Sequence, residues 1–298
     1  MNDIEKEIED LRITRNKLKR KYDIIAITTF LILLIISIIC SKLFEIKFII
    51  LFFLSTFAMA FIAIYGQIKA NNLEVKINSL YKNKIVRKVF EKLFIDVIYI
   101  PEKGIEEKIL EDTNMIYTGD SYESNDYIKG KYKNINFEFS DVEIEELHKD
   151  NDGNTTYVTI FSGQWMIFDF NKPFNYKVSI ASKGISLIKN PKNVELEDID
   201  FNKNFSVWSE NENEAFYLLT PHLMEKIKKL KNDINSDFIL CFINNKLYIG
   251  LDNYKDLFEP NINKKINKQK EEEKIIEEVK IITKFIDDLE LDNDLFKR

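Results

Sequence analysis

Few residues in this chain have the types and spacing that catalysis or metal binding requires. Its two histidines are far apart: His148 sits in the charged run 145–149, and His222 opens an apolar-periodic stretch. Neither has a cysteine or a second histidine at ligand spacing, which argues against the usual zinc sites. Cys40 and Cys241 both lie inside apolar runs, where a lone thiol reads as a small core residue rather than a nucleophile. No disulfide between them is expected, and such sparing cysteine use fits a reducing compartment. The turn Asp150-Asn151-Asp152-Gly153-Asn154 begins like a calcium loop, but Thr155 stands where the obligatory glycine belongs and Phe161 where the terminal glutamate belongs. Glu195, Glu197, Asp198 and Asp200 have the oxygen ligands a hard cation prefers, yet such a cluster reads more simply as a solvated acidic loop. The sequence holds no glycine-rich phosphate loop, nucleophile elbow or paired-histidine helix motif. It therefore implies no catalytic residue, no cofactor-binding residue and no metal ligand.

The elements that would position any site begin with two apolar runs. Residues 24–41 are 18 consecutive uncharged positions and residues 48–68 are 21 more. At helical rise these measure about 27 and about 32 Å, the thickness of a bilayer's hydrocarbon core. The connector 42–47 is so short that the two helices must be antiparallel neighbours, a transmembrane hairpin over 23–68. A soluble core helix seldom goes so long without charge, and no small-x-small site marks a cleavable signal. Six basic residues in 11–22 and six in 69–88 flank the pair, against two in the connector. That asymmetry places both termini in the cytoplasm of a two-helix protein of the cell membrane.

Residues 1–22 form a basic amphipathic helix in which Ile4, Ile8, Leu11, Leu18 and Tyr22 keep heptad spacing if Arg15 fills the missing place. Residues 69–95 are a second helix carrying seven Lys/Arg against two Asp/Glu. Its Lys82, Lys84, Arg87 and Lys88 are candidates for contact with membrane lipids, and packing on the following domain is the competing reading. Beyond it the charge reverses: residues 96–298 hold 27 basic and 40 acidic side chains. So acidic a domain is unsuited to sequence-independent nucleic-acid binding.

The segment 96–262 reads as β-rich. Ile135, Phe137 and Phe139 alternate with polar residues, and Val142, Ile144 and Leu147 mark a similar next segment. After the Asp150–Asn154 turn, the runs 157–161 and 165–168 flank Ser162-Gly163, giving an antiparallel meander in which Gly163 marks a turn or bulge and Trp165 a core position. Thr220-Pro221 is helix-start grammar, an N-cap followed by proline at the first helical position. Asn244-Asn245 between two apolar runs predicts a hairpin. Residues 263–298 are an amphipathic helix whose stripe includes Ile275, Val279, Ile282, Ile286 and Leu289; Ile276 and Phe285 broaden it, which favours capping the domain over pairing with another chain. The fold class is thus α+β: a two-helix transmembrane hairpin, then an antiparallel β-rich cytoplasmic domain with flanking helices.

Several short marks occur in order along this domain: Asp120-Ser121-Tyr122, 126–130, Phe161-Ser162-Gly163-Gln164-Trp165, Asp169-Phe170-Asn171-Lys172, Phe205-Ser206-Val207 and 215–221. In these and in the preceding hairpin the chain resembles a bacterial family known as domain of unknown function 3137. The resemblance implies no activity, and it implies a LemA-type membrane protein as a partner. The functional expectation is a membrane-tethered interaction or scaffold module without catalysis. Its rivals are a hydrolase or ligand-binding enzyme of unrecognised type, marked by Asp, Ser or His222 converging in a cleft, and a lipid-sensing β-domain.

Overall fold

A computed structural model of the chain describes residues 3–43, 48–150, 152–170, 175–185 and 193–292. The order is α1 (Asp3–Leu43), α2 (Phe48–Tyr81), a π-helical turn (Lys82–Val86), α3 (Arg87–Leu93), β1 (Ile95–Ile100), α4 (Glu107–Thr113), β2 (Ser121–Tyr132), β3 (Ile135–Lys149), β4 (Thr155–Asp169), β5 (Val178–Ser182), α5 (Ile199–Asn204), β6 (Phe205–Ser209), α6 (Glu212–Leu218), α7 (Pro221–Ile234), β7 (Asp237–Ile243), β8 (Lys246–Asp252) and α8 (Lys268–Asp288). Most of the connector 42–47 lies outside the described residues, as do Asn151, Asn171 and Lys172. By packing, the chain divides into Met1–Ile85 with Glu259–Glu272, and Val86–Phe258 with Glu273–Arg298. The expected segments 1–22, 23–68, 69–95, 96–262 and 263–298 follow composition instead. They cut across this division, which falls within α8.

In the first unit, α1 runs unbroken from its polar start into the apolar run, and α2 does the same in reverse. They are antiparallel: Arg15 pairs with Glu74, Tyr22 with Tyr65, and Phe30 with Phe52. The expected heptad seam faces α2, and it continues past Tyr22 through buried Ala26 and Ser37. Small residues opposite, Gly66, Ala70 and Ser55, are buried too, which allows the close approach such helices favour in lipid. A Cβ on Gly66 would overlap the Tyr22 side chain. Glu259–Glu272 is tied to both helices. Arg15 donates to Asn263 Oδ1 at 3.3 Å, Tyr81 Oη donates to Glu271 at 2.9 Å, and Lys268 N donates to Glu5 at 2.7 Å.

Both helices are long and apolar enough to cross a membrane, and within their most apolar windows only 11% and 6% of residues are buried. A soluble core helix would bury that surface, so the pair supports a membrane protein.

The second unit is built on one eight-stranded antiparallel sheet of order β1-β2-β3-β4-β8-β7-β5-β6. Register puts Ile128, Phe139, Met166, Ile249, Leu240, Ile180 and Val207 in one row across it, and all seven are buried. Phe238 of this sheet meets Phe285 of α8 at 6.1 Å, and Lys284 joins α8 to Asp233 of α7 at 2.9 Å. Ile275, Val279, Ile282, Phe285 and Ile286 are buried in this way, whereas Ile276, expected to widen the stripe, is exposed. The opposite face packs Trp165, Phe161, Val142 and Ile144 against Ile105, Leu110, Met115 and Ile116 of α4 and its flanks.

Two expectations need correction. Residues 135–149 are one 15-residue strand rather than two segments, and so are 155–169. Gly163 therefore marks no turn. It sits within β4 at φ +157°, where a Cβ would overlap the Leu251 carbonyl oxygen; the strand irregularity lies nearby, where Ile144 pairs with Phe161 and Glu145 with Thr159.

Candidate functional site: a buried polar latch

The polar residues that interrupt the apolar alternation of β3 and β4 meet one another. Asp141 pairs in register with Gln164, and the two are 5% and 0% exposed. Gln164 Nε2 donates to Asp141 Oδ1 at 2.9 Å and to the Lys255 carbonyl oxygen at 2.7 Å. Its Oε1 accepts from Asn253 Nδ2 at 2.7 Å. Asp141 Oδ2 accepts from Leu257 N at 3.0 Å. The Ser162 carbonyl oxygen accepts from the backbone N–H groups of Asn253 and Tyr254 at 3.1 and 2.8 Å. Together these bonds strap residues 253–258, which follow β8, onto the sheet. Phe258 completes the strap, fully buried and edge-on to Phe90 at 5.0 Å.

Burial pushes the Asp141 carboxyl up to about 8, with Asp126 and Asp256 adding repulsion against the partial relief from Gln164 and Leu257. Asp126 is itself buried and accepts from Tyr99 Oη. A cavity of about 270 Å³ opens beside Asp141, lined also by Ser124, Asn125, Glu143, Ser162 and Asp256. A second, of about 450 Å³, lies on the other side of the strap among Gln164, Leu251, Lys255, Ile281 and Lys284.

Chemically, the arrangement favours holding over reacting. Both Asp141 oxygens accept protein N–H groups, and Ser124 Oγ donates to the Asp141 carbonyl oxygen at 2.9 Å. Neither histidine lines either cavity. His148 and His222 are both exposed, near Glu146 at 3.1 Å and Glu290 at 3.8 Å.

The other residues singled out in the sequence fall elsewhere. Thr220 Oγ1 accepts from Leu223 N at 3.3 Å and Pro221 begins α7, as expected of a cap. Trp165 is fully buried, its indole over Gly250. Cys241 is buried in β7, and desolvation pushes its thiol up to about 12. Asp198 caps α5 through Phe201 N and pairs with Lys228 at 3.0 Å, while Glu195, Glu197 and Asp200 are exposed. Asp150 closes its own turn, accepting from Asp152 N and Asn154 N at 2.9 and 2.8 Å.

The four basic candidates for membrane contact separate. Lys84 and Lys88 are exposed, Arg87 lies 5.7 Å from the Tyr99 ring, and Lys82 is buried in an ion pair with Glu259. Lys82 is thus a poor headgroup ligand: its charge is neutralised, and it follows an unbroken α2 fourteen residues beyond Ile68, about 21 Å of helical rise.

Residues 159–291 match the model of a family described as protein of unknown function (DUF3137). This is the family that the ordered sequence marks indicate, and the matched stretch contains Gln164 and the whole strap. No curated protein matches the chain. Among solved structures, the crystal structure of the mycobacterial trehalose monomycolate transport factor A, TtfA, is similar at 10% identity and a TM-score of 0.39, over 70% of this chain and 94% of that one. A likeness that low carries no argument about function.

Proposed function

We propose that the chain is a membrane-tethered interaction module, with both termini and the acidic β domain on the cytoplasmic side, acting by binding rather than catalysis. The observation that carries the binding half is the latch: the convergent polar groups of the domain are engaged in holding a strap. The orientation rests on six basic residues on each flank against two in the connector. A LemA-type membrane protein, the partner that the family resemblance implies, is one candidate to be captured. The test is in-cell crosslinking followed by purification in mild detergent and mass spectrometry. A partner recovered reproducibly with the intact chain, and lost when residues 86–298 are replaced by an unrelated soluble domain, supports the reading. Repeated recovery of no specific partner counts against it.

A second reading, an enzyme, has the Asp141 cavity in its favour. Purified protein that turns over a substrate in an activity screen, and stops when Asp141→Asn is introduced into a still-folded chain, would establish it.

A further inference from the structure

We propose that the water-facing end of the membrane hairpin is a binding collar for anionic phospholipid headgroups, formed by Arg20 and Lys21 on α1 and Lys69 on α2, with Lys17 one turn farther out. The inference rests on the membrane reading and deepens it by naming a lipid class and its ligands.

All four side chains are exposed. Arg20, Lys21 and Lys69 stand within four residues of the ends of the uncharged runs 24–41 and 48–68, which is about 6 Å of rise or less. That is inside the screening length of about 8 Å at physiological salt. At the same level Tyr22 and Tyr65 meet edge to face at 5.5 Å across the helix pair, and Lys69 Nζ lies 4.9 Å from the Tyr65 ring. Tyrosines at the ends of two lipid-length spans mark the headgroup layer.

Opposing charge is scarce there. Asp23 is the exposed acid of residues 17–23, and residues 66–72 contain none. Glu74, the next acid on α2, is neutralised by Arg15 at 2.6 Å and Lys19 at 3.2 Å. The collar therefore offers a net excess of cationic N–H donors over the single acid Asp23 at phosphate depth, the complement of a headgroup with net negative charge, and Arg20 has the fork suited to two phosphate oxygens.

The full-length protein, reconstituted into nanodiscs of phosphatidylcholine with graded phosphatidylglycerol, tests this by native mass spectrometry of retained lipid. Wild type is expected to retain phosphatidylglycerol above its bulk fraction. Combined Lys17→Gln, Arg20→Gln, Lys21→Gln and Lys69→Gln should lower that enrichment by roughly fivefold per cation near the surface. Lys84→Gln with Lys88→Gln should leave it unchanged. If the fourfold variant does not insert, Lys21→Gln with Lys69→Gln gives the same readout at smaller amplitude. Equal retention of both lipids by wild type, unchanged enrichment in the collar variants, or displacement of the lipid by millimolar inorganic phosphate overturns the collar. Release of wild type from membranes by alkaline carbonate overturns the membrane reading itself, a separate result.

Discussion

Arg15 and Glu74 meet at 2.6 Å across α1 and α2, at the one place where the N-terminal heptad carries a charge instead of an apolar residue. Arg15 is 5% exposed, so the seam that in isolation looks like an unfinished coiled coil is completed by the chain's own second helix. Removing one partner of a buried pair strands the other charge, which costs more than the pair itself contributes. Glu74→Gln should therefore destabilise the hairpin by about 2 kcal/mol, reduced from the fully buried figure by the solvent at Glu74. Arg15→Leu combined with Glu74→Leu should recover most of the loss, since the apolar pair continues the seam. Thermal unfolding in detergent, followed by helix content, measures both. Equal midpoints for wild type and Glu74→Gln would show that the pair holds nothing.

Asp141 makes the β domain sensitive to pH. Its carboxyl titrates at about 8 in the folded chain against an ordinary value of 3.8. Between those values the folded protein keeps a proton that the unfolded chain has lost. The Asp141 contribution to stability is then fully present in acid and is lost as pH rises through about 8, with a limiting slope of about 1.4 kcal/mol per pH unit for one group. Asp126, Asp256, Lys255, Glu123 and Glu143 are charged groups around it. Denaturant unfolding between pH 5 and 8, read by the fluorescence of Trp165 and Trp208, should show the decline in wild type and a flatter profile in Asp141→Asn. Parallel profiles would mean that Asp141 is not the titrating group.

Much of this architecture was legible from period and punctuation, and the failures are instructive because they converge. The two apolar runs, the Asn244-Asn245 hairpin, the Thr220-Pro221 cap and the C-terminal stripe are local patterns, and local rules find them. The sequence pattern divides β3 and β4 in two, and both breaks fall at the same level of the sheet: Ser140-Asp141 in one strand and Ser162-Gly163-Gln164 in the other. Buried polar residues break alternation wherever a network replaces packing, so the places where the pattern failed lie at the latch itself. The strap was invisible for another reason. Tyr254 and Phe258 adopt positive φ of 55° and 61° without the glycine or asparagine that would announce it, and tertiary bonds hold them there. Nothing in the sequence pattern revealed that Glu259–Glu272 packs with the hairpin, because its ties to Glu5, Arg15 and Tyr81 span the length of the chain.

Gly163 should be the least replaceable glycine of the sheet. A Cβ there would overlap backbone, the Leu251 carbonyl oxygen, near the end of β8 where the strap begins. Gly153 also has positive φ, +85°, but nothing lies within 4 Å of its Cβ position. Gly153→Ala should cost about 1 kcal/mol from backbone strain alone. Gly163→Ala should cost more, at least 2 kcal/mol, because the strands must part. Parallel denaturant curves rank the two, and a Gly163→Ala no worse than Gly153→Ala would refute the close approach.

Thr220 tests whether α7 depends on its cap. The hydroxyl oxygen accepts from Leu223 N, one of the helix's otherwise unpaired donors, and Pro221 leaves no N–H to satisfy. Thr220→Ala should lower stability by about 1 kcal/mol, and Thr220→Asp should retain most of it. Hydrogen exchange would locate the loss in the first turn of α7. Uniform deprotection across the sheet would instead mean that the residue acts through the core.

Cys241 offers the sharpest test of the binding reading against an enzyme that works through a thiol. It is fully buried beside Ser179 and Lys177, and burial outweighs the help those neighbours give the thiolate, so its thiol titrates at about 12. At neutral pH almost none of it is ionised, and no cavity described above reaches it. In a Cys40→Ser background, where Cys241 is the remaining thiol, a thiol-specific reagent should modify the native protein no faster than the chain unfolds. Adding denaturant should accelerate labelling in step with loss of tertiary structure. Rapid stoichiometric labelling of the folded protein near pH 7 would show an accessible, ionised thiol, and the β domain would then have to be reconsidered as a cysteine-dependent enzyme.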